Sequence, residues 1–436
     1  MSATKKAGID QTAAGQVRTG LAPGDVRVTD GERDVLRRLS SRVAELAALP
    51  VMVEKRALWR RHNSLERTRP LVYCDPENGW NEVFTPEQVS CEGSLARSWE
   101  LRLRREIFYG EAMGDDKPVE PVFDVGYTAA PDDWGMEEAY RRTDTAGSYS
   151  WEGPLRDYAR DLPRLHAPRV ALDWETTRAS LSLAEELFGG ILQVRQKGAW
   201  WWSLGLSYPA ARFRGLDTLF YDFIDHPGEL KELFSRLSRG YMEKLDWLEA
   251  NGLLSPNWDG AYVGSGGLGY TDELPSAGFA GTVRCADLWG FTESQETVSV
   301  SPEMYEEFIF PAEKPLMDRF GLTCYGCCEP LHTRWHVVKR HHNLRRVSCS
   351  PWADVEQMAA NLQGNYIYSM KPNPAAIATS EIDEPAIRAK LRRDLDITRG
   401  CVVEIIMKDN HTIGKNPLNP VRWCRIAREE AERTGG

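Results

Sequence analysis

From about residue 70 onward, short apolar runs alternate with longer stretches whose apolar positions recur at helical spacing. Val170–Asp173 reads as a strand and Thr176–Phe188 as the helix behind it. Trp200–Leu206 reads as another strand, followed by helices at Leu216–Phe223 and Pro227–Ala250. The C-terminal third repeats the motif: Leu288–Phe291 strand, Pro302–Phe320 helix, Leu322–Gly326 strand, Pro330–Arg340 helix. It continues with Arg346–Ser348 strand, Ala353–Leu362 helix, Tyr366–Met370 strand, Ile387–Thr398 helix, Val402–Met407 strand and a last helix over Pro420–Arg433. Earlier come strands near Arg69–Cys74 and Pro121–Gly126 and a helix at Arg97–Tyr109. Strand–helix alternation of this length signals parallel βα units. The expected fold is a (β/α)8 TIM barrel over residues 67–436, with an N-terminal tail and helical extension over 1–66.

Within that extension, Asp30 is expected to cap a helix through Leu49, with Val35, Leu36, Leu39, Val43 and Leu46 on one face. A second helix follows over Pro50–Arg61. Residues 1–30, rich in Gly, Ala, Thr and Lys, are expected to be disordered or loosely attached.

Composition narrows the class of protein. The chain has 436 residues, 42% hydrophobic and 27% charged, as an ordinary globular protein does. A net charge of −10 argues against non-specific nucleic-acid binding, which needs surplus Lys and Arg. No run of 18 apolar residues is present, so no membrane span is expected, and Met1–Gly24 lacks the apolar region of a secretory signal. Nine scattered cysteines fit a cytoplasmic, reducing setting. Fifteen tryptophans imply large aromatic surfaces in the core or around a pocket.

In a barrel, chemistry gathers on the loops after the strands' C-terminal ends. That rule collects Asp75 and Glu77 after an early strand, Glu293 and Glu296 after Leu288–Phe291, Cys327-Cys328-Glu329 after Leu322–Gly326, and Lys408-Asp409-Asn410-His411 after the last. Strand alternation would point Tyr325 and Cys327 into the barrel. Soft thiolate and imidazole donors suit zinc, and Cys327, Cys328, Glu329 and His411 are its candidate ligands. Glu293, Glu296, Asp75 and Tyr325 are the candidate acid–base and binding residues. Bland readings stand beside these: Cys328 as a small buried apolar group, His411 as a loop bridge, and the glutamates as rim ion pairs. Gly264-Ser265-Gly266-Gly267-Leu268-Gly269 lacks the strand–turn–helix frame of a dinucleotide loop and reads as a mobile loop or lid.

These motifs give the chain a resemblance to the uroporphyrinogen decarboxylase superfamily, in particular its cobalamin-dependent methyltransferase branch. Leu322–His332 resembles the strand and loop of a His-x-Cys pair in those methyltransferases. Leu362-Gln363-Gly364-Asn365 resembles the superfamily's "LxGN" segment, and Leu288–Glu293 resembles an "LFES" stretch of the decarboxylases. His411 to Val421 is similar to the loop holding a third zinc ligand. Tyr325 stands where the methyltransferases have histidine, and the arginine-rich motif of the decarboxylases is absent at Cys74–Trp80. The resemblance implies a zinc-dependent enzyme moving a methyl group between a small methylated compound and a corrinoid protein supplied as a separate chain. A homodimer is one allowed assembly. The alternative is a decarboxylase or lyase acting on a smaller carboxylic acid.

Overall fold

The computed structural model describes residues 17–434 apart from 138 and 143–148. Its twelve strands in chain order are β1 (Leu71–Cys74), β2 (Val122–Val125), β3 (Ala139–Arg142), β4 (Tyr149–Glu152), β5 (Gln193–Gln196) and β6 (Tyr262–Val263). Then come β7 (Gly267–Leu268), β8 (Trp289–Thr292), β9 (Leu322–Tyr325), β10 (Leu344–Cys349), β11 (Ile367–Met370) and β12 (Val402–Met407). Six of these form one parallel sheet in the order β1-β12-β11-β10-β9-β8. Consecutive strands from β8 to β12 are joined through helical segments, as parallel pairing requires, and β1 pairs with β12 from the other end of the chain. The expected C-terminal βα units are therefore present, and the fold is mixed α/β.

β2 and β5 form a separate parallel pair. Single backbone bonds lie on its flanks, Asp116 N to Val72 O at 2.7 Å and Leu204 N to Phe291 O at 2.9 Å. The arrangement is barrel-like, but the strand pairing does not close a ring of eight. Trp200–Leu206, expected as a strand, is irregular, and the real strand precedes it at Gln193–Gln196. Aromatic content had suggested β structure there, whereas Trp200, Trp201 and Trp202 each pack separately, on Tyr127, Phe320 and Phe291. Val170–Asp173 makes one isolated bridge, Leu172 with Ala129, beside another at Arg169 with Asp133.

The helix expected over Pro302–Phe320 is interrupted. Helical turns at Pro302–Met304 and Phe310–Met317 flank a π-type turn, Tyr305–Ile309. Pro311 lacks the N–H that a continuous α-helix needs, so the ladder widens just before it. Pro330–Arg340 is likewise reduced to short turns at Leu331–Thr333 and Trp335–Val338.

Thr29, one residue before Asp30, caps the first helix (Asp30–Ala47), and the Glu32 carboxylate closes the capping box on the Thr29 N–H at 2.8 Å. Residues 17–29 are tied down: Arg18 exchanges backbone bonds with Tyr127 and Ala129, and Val17, Leu21, Val26 and Val28 pack on the core. Residues 1–16, part of the expected tail, lie outside the described residues. The second helix (Pro50–Asn63) delivers His62 and Asn63 to the inner face of the sheet. No helix among the described residues is long and apolar enough to cross a membrane.

The glycine-rich segment is a buried hairpin, β6–β7, rather than a lid. It lies inside the curve of the sheet. A Cβ on Gly264 would fall 2.8 Å from the Cys324 side chain, and one on Gly266 would fall 2.6 Å from Ile406. Both have positive φ, so glycine is needed twice over. Asn63 Nδ2 holds the hairpin by donating to the carbonyls of Leu268 and Tyr270 at 2.9 and 2.7 Å.

Candidate active site

The hairpin fixes which side chains of each strand face inward. Cys324, Arg346, Ile406 and Lys408 all touch its glycines. Parity then turns Tyr325 the other way. Its hydroxyl meets Tyr305 at 2.9 Å and Ser294 at 3.2 Å, next to the buried Glu313. Tyr325 thus belongs to the layer between sheet and helices, not to the interior expected for it. Gly326 (φ 93°) then turns the chain, and a Cβ there would collide with Leu331 at 2.6 Å. That turn brings Cys327 inward.

Cys327 is buried and Cys328 exposed, with their sulfurs 3.7 Å apart. The Ser265 hydroxyl donates to the Cys327 sulfur at 3.3 Å, and the Lys408 ammonium stands 4.0 Å from it. The two thiols act as one unit. A hydrogen bond from Cys327 to Cys328 pushes the Cys328 thiol down and, with burial, pushes Cys327 up. The first proton therefore leaves from the exposed sulfur.

Glu329 is buried, and both its oxygens are engaged at 2.9 Å by the N–H groups of Ser294 and Cys327. It ties the thiol loop to the loop after β8. That second loop carries Glu293 and Glu296. Glu293 accepts from Ser203 at 3.1 Å, and Glu296 accepts from Ser207 at 2.6 Å. Burial raises both carboxyls, and the charges of Glu296 and Glu329 raise Glu293 further. Two like charges side by side disfavour ionising both, so each carboxyl takes up a proton more readily than a free glutamate does.

On the opposite rim, Asp75 accepts from the Glu77 N–H at 3.1 Å and the Trp80 indole at 3.2 Å, ordering its own turn. Glu77 is raised to about 7 by burial and by Asp75 and Asp409, against the pull of Lys408. Burial works against the Lys408 charge, yet Tyr262, Cys327, Asp409 and Glu77 outweigh it and hold the ammonium above its usual range.

The zinc ligands expected from the sequence are only partly brought together. Among the described residues, no three His, Cys, Asp or Glu side chains converge closely enough to hold a metal ion. Cys327 and Cys328 are adjacent, Glu329 is consumed by two amides, and the exposed His411 lies 3.5 Å from Asn78 Nδ2. Asp409 (φ 61°) turns the loop after β12, and Lys408 puts a cation beside Cys327. The donor set does not fit a three-ligand zinc centre.

Sequence reasoning missed Ser265, Ser203, Ser207, Lys371 and the role of Lys408. The strand-parity rule applied past the strand ends would have found the two lysines. Each is two residues beyond an inward residue, Ser369 or Ile406.

The arrangement defines an α/β protein with a thiol–lysine group and a pair of carboxyls raised above their ordinary value at one rim of its sheet. Among solved structures, the chain is similar to a methyltransferase from Methanosarcina mazei. That similarity has 12% identity and a TM-score of 0.47, covering 86% of this chain and 97% of the other. No family model matches the chain. No curated protein matches it either.

Proposed function

We propose that this chain is a methyltransferase that takes a methyl group from a small methyl ether, methylated amine or methylated thiol. The observation that supports it best is the Glu293–Glu296 pair, Glu293 buried and both carboxyls raised above the ordinary glutamate value, with Glu293 within electrostatic reach of Cys327. A methyl group bound to oxygen, nitrogen or sulfur moves only if the heteroatom it leaves is stabilised. A positioned carboxylic acid does this by protonating that atom as the bond breaks. The methyl carbon is bonded by an electron pair of the acceptor as the carbon–heteroatom bond opens, that bond's pair stays on the heteroatom, and the proton from Glu293 or Glu296 completes the leaving molecule. Ser203 and Ser207 hold the two carboxyls in position.

The resemblance of the Leu322–His332 and His411–Val421 segments to the cobalamin-dependent methyltransferases implies the acceptor: the cobalt of a corrinoid carried by a partner protein. In the same reading β2 and β5 complete a (β/α)8 barrel around the site. Zinc, implied by that resemblance, would find two sulfur donors here, and no step above depends on it.

The test is a screen of methylated ethers, amines and thiols with a corrinoid acceptor, followed by the cobalt absorption spectrum, alongside elemental analysis of the protein. One donor class should be demethylated, and Glu293→Gln should lower turnover by about 10²-fold or more. Carbon dioxide release from a small acid, without methyl transfer, would establish the decarboxylase alternative and overturn this reading. One zinc per chain, lost in Cys327→Ala, would overturn the metal-free account of the proton donors.

A further inference from the structure

Lys371 and Lys408 follow the adjacent strands β11 and β12, and each is the first inward residue beyond its strand. Both are buried, with 5% and 4% of their surface exposed. Their surroundings differ. Lys408 Nζ has the Asp409 carboxylate at 2.8 Å and Glu77 at 3.8 Å. Lys371 Nζ donates only to the carbonyl and hydroxyl of Ser369, and among the described residues it pairs with no carboxylate.

The nearest acid is Glu404, which accepts from the Ser369 hydroxyl. Glu404 already faces Arg346 at 3.0 Å and His62 at 3.2 Å. Arg346 and Glu404 cancel. Burial holds the His62 imidazole below its usual value, hence neutral. The inner face is thus left with one positive charge too many, and it belongs to Lys371. Burial pushes that ammonium down to about 8 against the attraction of Glu404, which Arg346 shares, and the charges of Lys408 and Arg346 add to the effect. A buried cation without a counter-ion is costly, and an anion from outside would relieve it.

We propose that Lys371 and Lys408 together form a subsite for a small carboxylate, so that the substrate handled at this rim is an acid anion. The subsite rests on the proposed function in one respect: the carboxylate would be that of the methyl donor. A monoanion matches the single surplus charge. A phosphate dianion would meet Asp409 and Glu77 on the same rim.

Calorimetry on the full chain at neutral pH tests this with three probes: benzoate, neutral benzamide and inorganic phosphate. Benzoate should bind at one site and benzamide at least tenfold more weakly. Lys371→Met should weaken benzoate at least tenfold, while Lys371→Arg retains most of it. Benzamide binding as well as benzoate, phosphate binding in place of benzoate, or unchanged benzoate affinity in a folded Lys371→Met protein would each overturn the subsite. If Lys371→Met does not fold, the benzoate–benzamide comparison on the native chain decides alone. Failure of every methyl-transfer assay with benzoate binding intact counts against the reaction only. Full turnover of a carboxylate-bearing donor by Lys371→Met counts against the subsite only.

Discussion

Ser265 and Cys327, 62 residues apart in the chain, meet at 3.3 Å, with the serine hydroxyl donating to the sulfur. The contact exists because the β6–β7 hairpin lies within the curve of the sheet and presents its tip to the rim. Ser265 is thereby a positioning residue for the thiol pair. A hydrogen bond to a thiolate favours the charged form, so its loss should raise the Cys327 thiol further. In a Cys328→Ser background, which removes the coupling between sulfurs, Ser265→Ala should slow alkylation of Cys327 by iodoacetamide at pH 8. One lost hydrogen bond, about 1 kcal/mol, corresponds to about fivefold. An unchanged or faster rate would show that the hydroxyl does not serve the sulfur.

Glu313 makes stability depend on pH. It is fully buried behind β8, accepts from Tyr305 at 3.0 Å and Thr292 at 3.3 Å, and burial raises it to about 8. The folded chain therefore binds this proton more tightly than the unfolded chain does. Its favourable contribution is complete below the ordinary glutamate value of 4.5 and is lost as pH rises toward 8. Glu313→Gln keeps the shape and removes the titration. The prediction is a flatter melting-temperature profile between pH 5 and 8 for the variant, with its gain over the native chain largest at pH 8. Parallel profiles would place the pH dependence elsewhere, Glu77 and Asp115 being the other carboxyls raised to about 7.

Much of the scaffold was legible because its signal is local. Pro227–Ala250 and Val402–Met407 begin and end where periodicity put them. The rim was legible through one topological rule, that loops after parallel strands converge. What escaped depended on contacts between distant segments. Cys324 and Tyr325 exchange faces relative to expectation because Gly326 bends the chain after the strand, and parity counted backward from Cys327 ignores that bend. The Gly264–Gly269 run has the composition of a mobile loop. Only Asn63, Arg346 and Cys324, from three other elements, show that it is a packed hairpin. The zinc set was inferred from residue types near strand ends. Type does not reveal that two amides already occupy Glu329 or that His411 is exposed.

The Arg346–Glu404 pair offers a stability test of the buried interior. The guanidinium nitrogen and carboxylate oxygen are 3.0 Å apart, an ion pair without the alignment of a hydrogen bond at that nitrogen. Burial opposes the Glu404 charge, but Arg346 and His62 outweigh it and hold the carboxyl down at about 2. Arg346→Met would leave that charge uncompensated and should cost about 3–5 kcal/mol in urea unfolding. Adding Glu404→Gln should restore part of the loss, since the stranded charge goes with it. A double variant no more stable than the single one would mean that Arg346 acts by packing on Trp289, its ring 5.1 Å away, rather than by charge.

Gly266 shows whether the hairpin is structural filler or the floor of the site. Its φ of 106° is one that L residues rarely adopt, and a Cβ would fall 2.6 Å from Ile406. Gly278 has a similar positive φ of 85° but open space around it. Comparing Gly266→Ala with Gly278→Ala separates crowding from backbone strain. Both should pay for the backbone, and Gly266→Ala should lose about 1–3 kcal/mol more from overpacking. The hairpin or Ile406 must shift to relieve that contact, and Ser265 immediately precedes Gly266. Iodoacetamide reactivity of Cys327 should therefore change in Gly266→Ala and remain native in Gly278→Ala. Equal destabilisation and equal reactivity in the two variants would separate the hairpin from the thiol site.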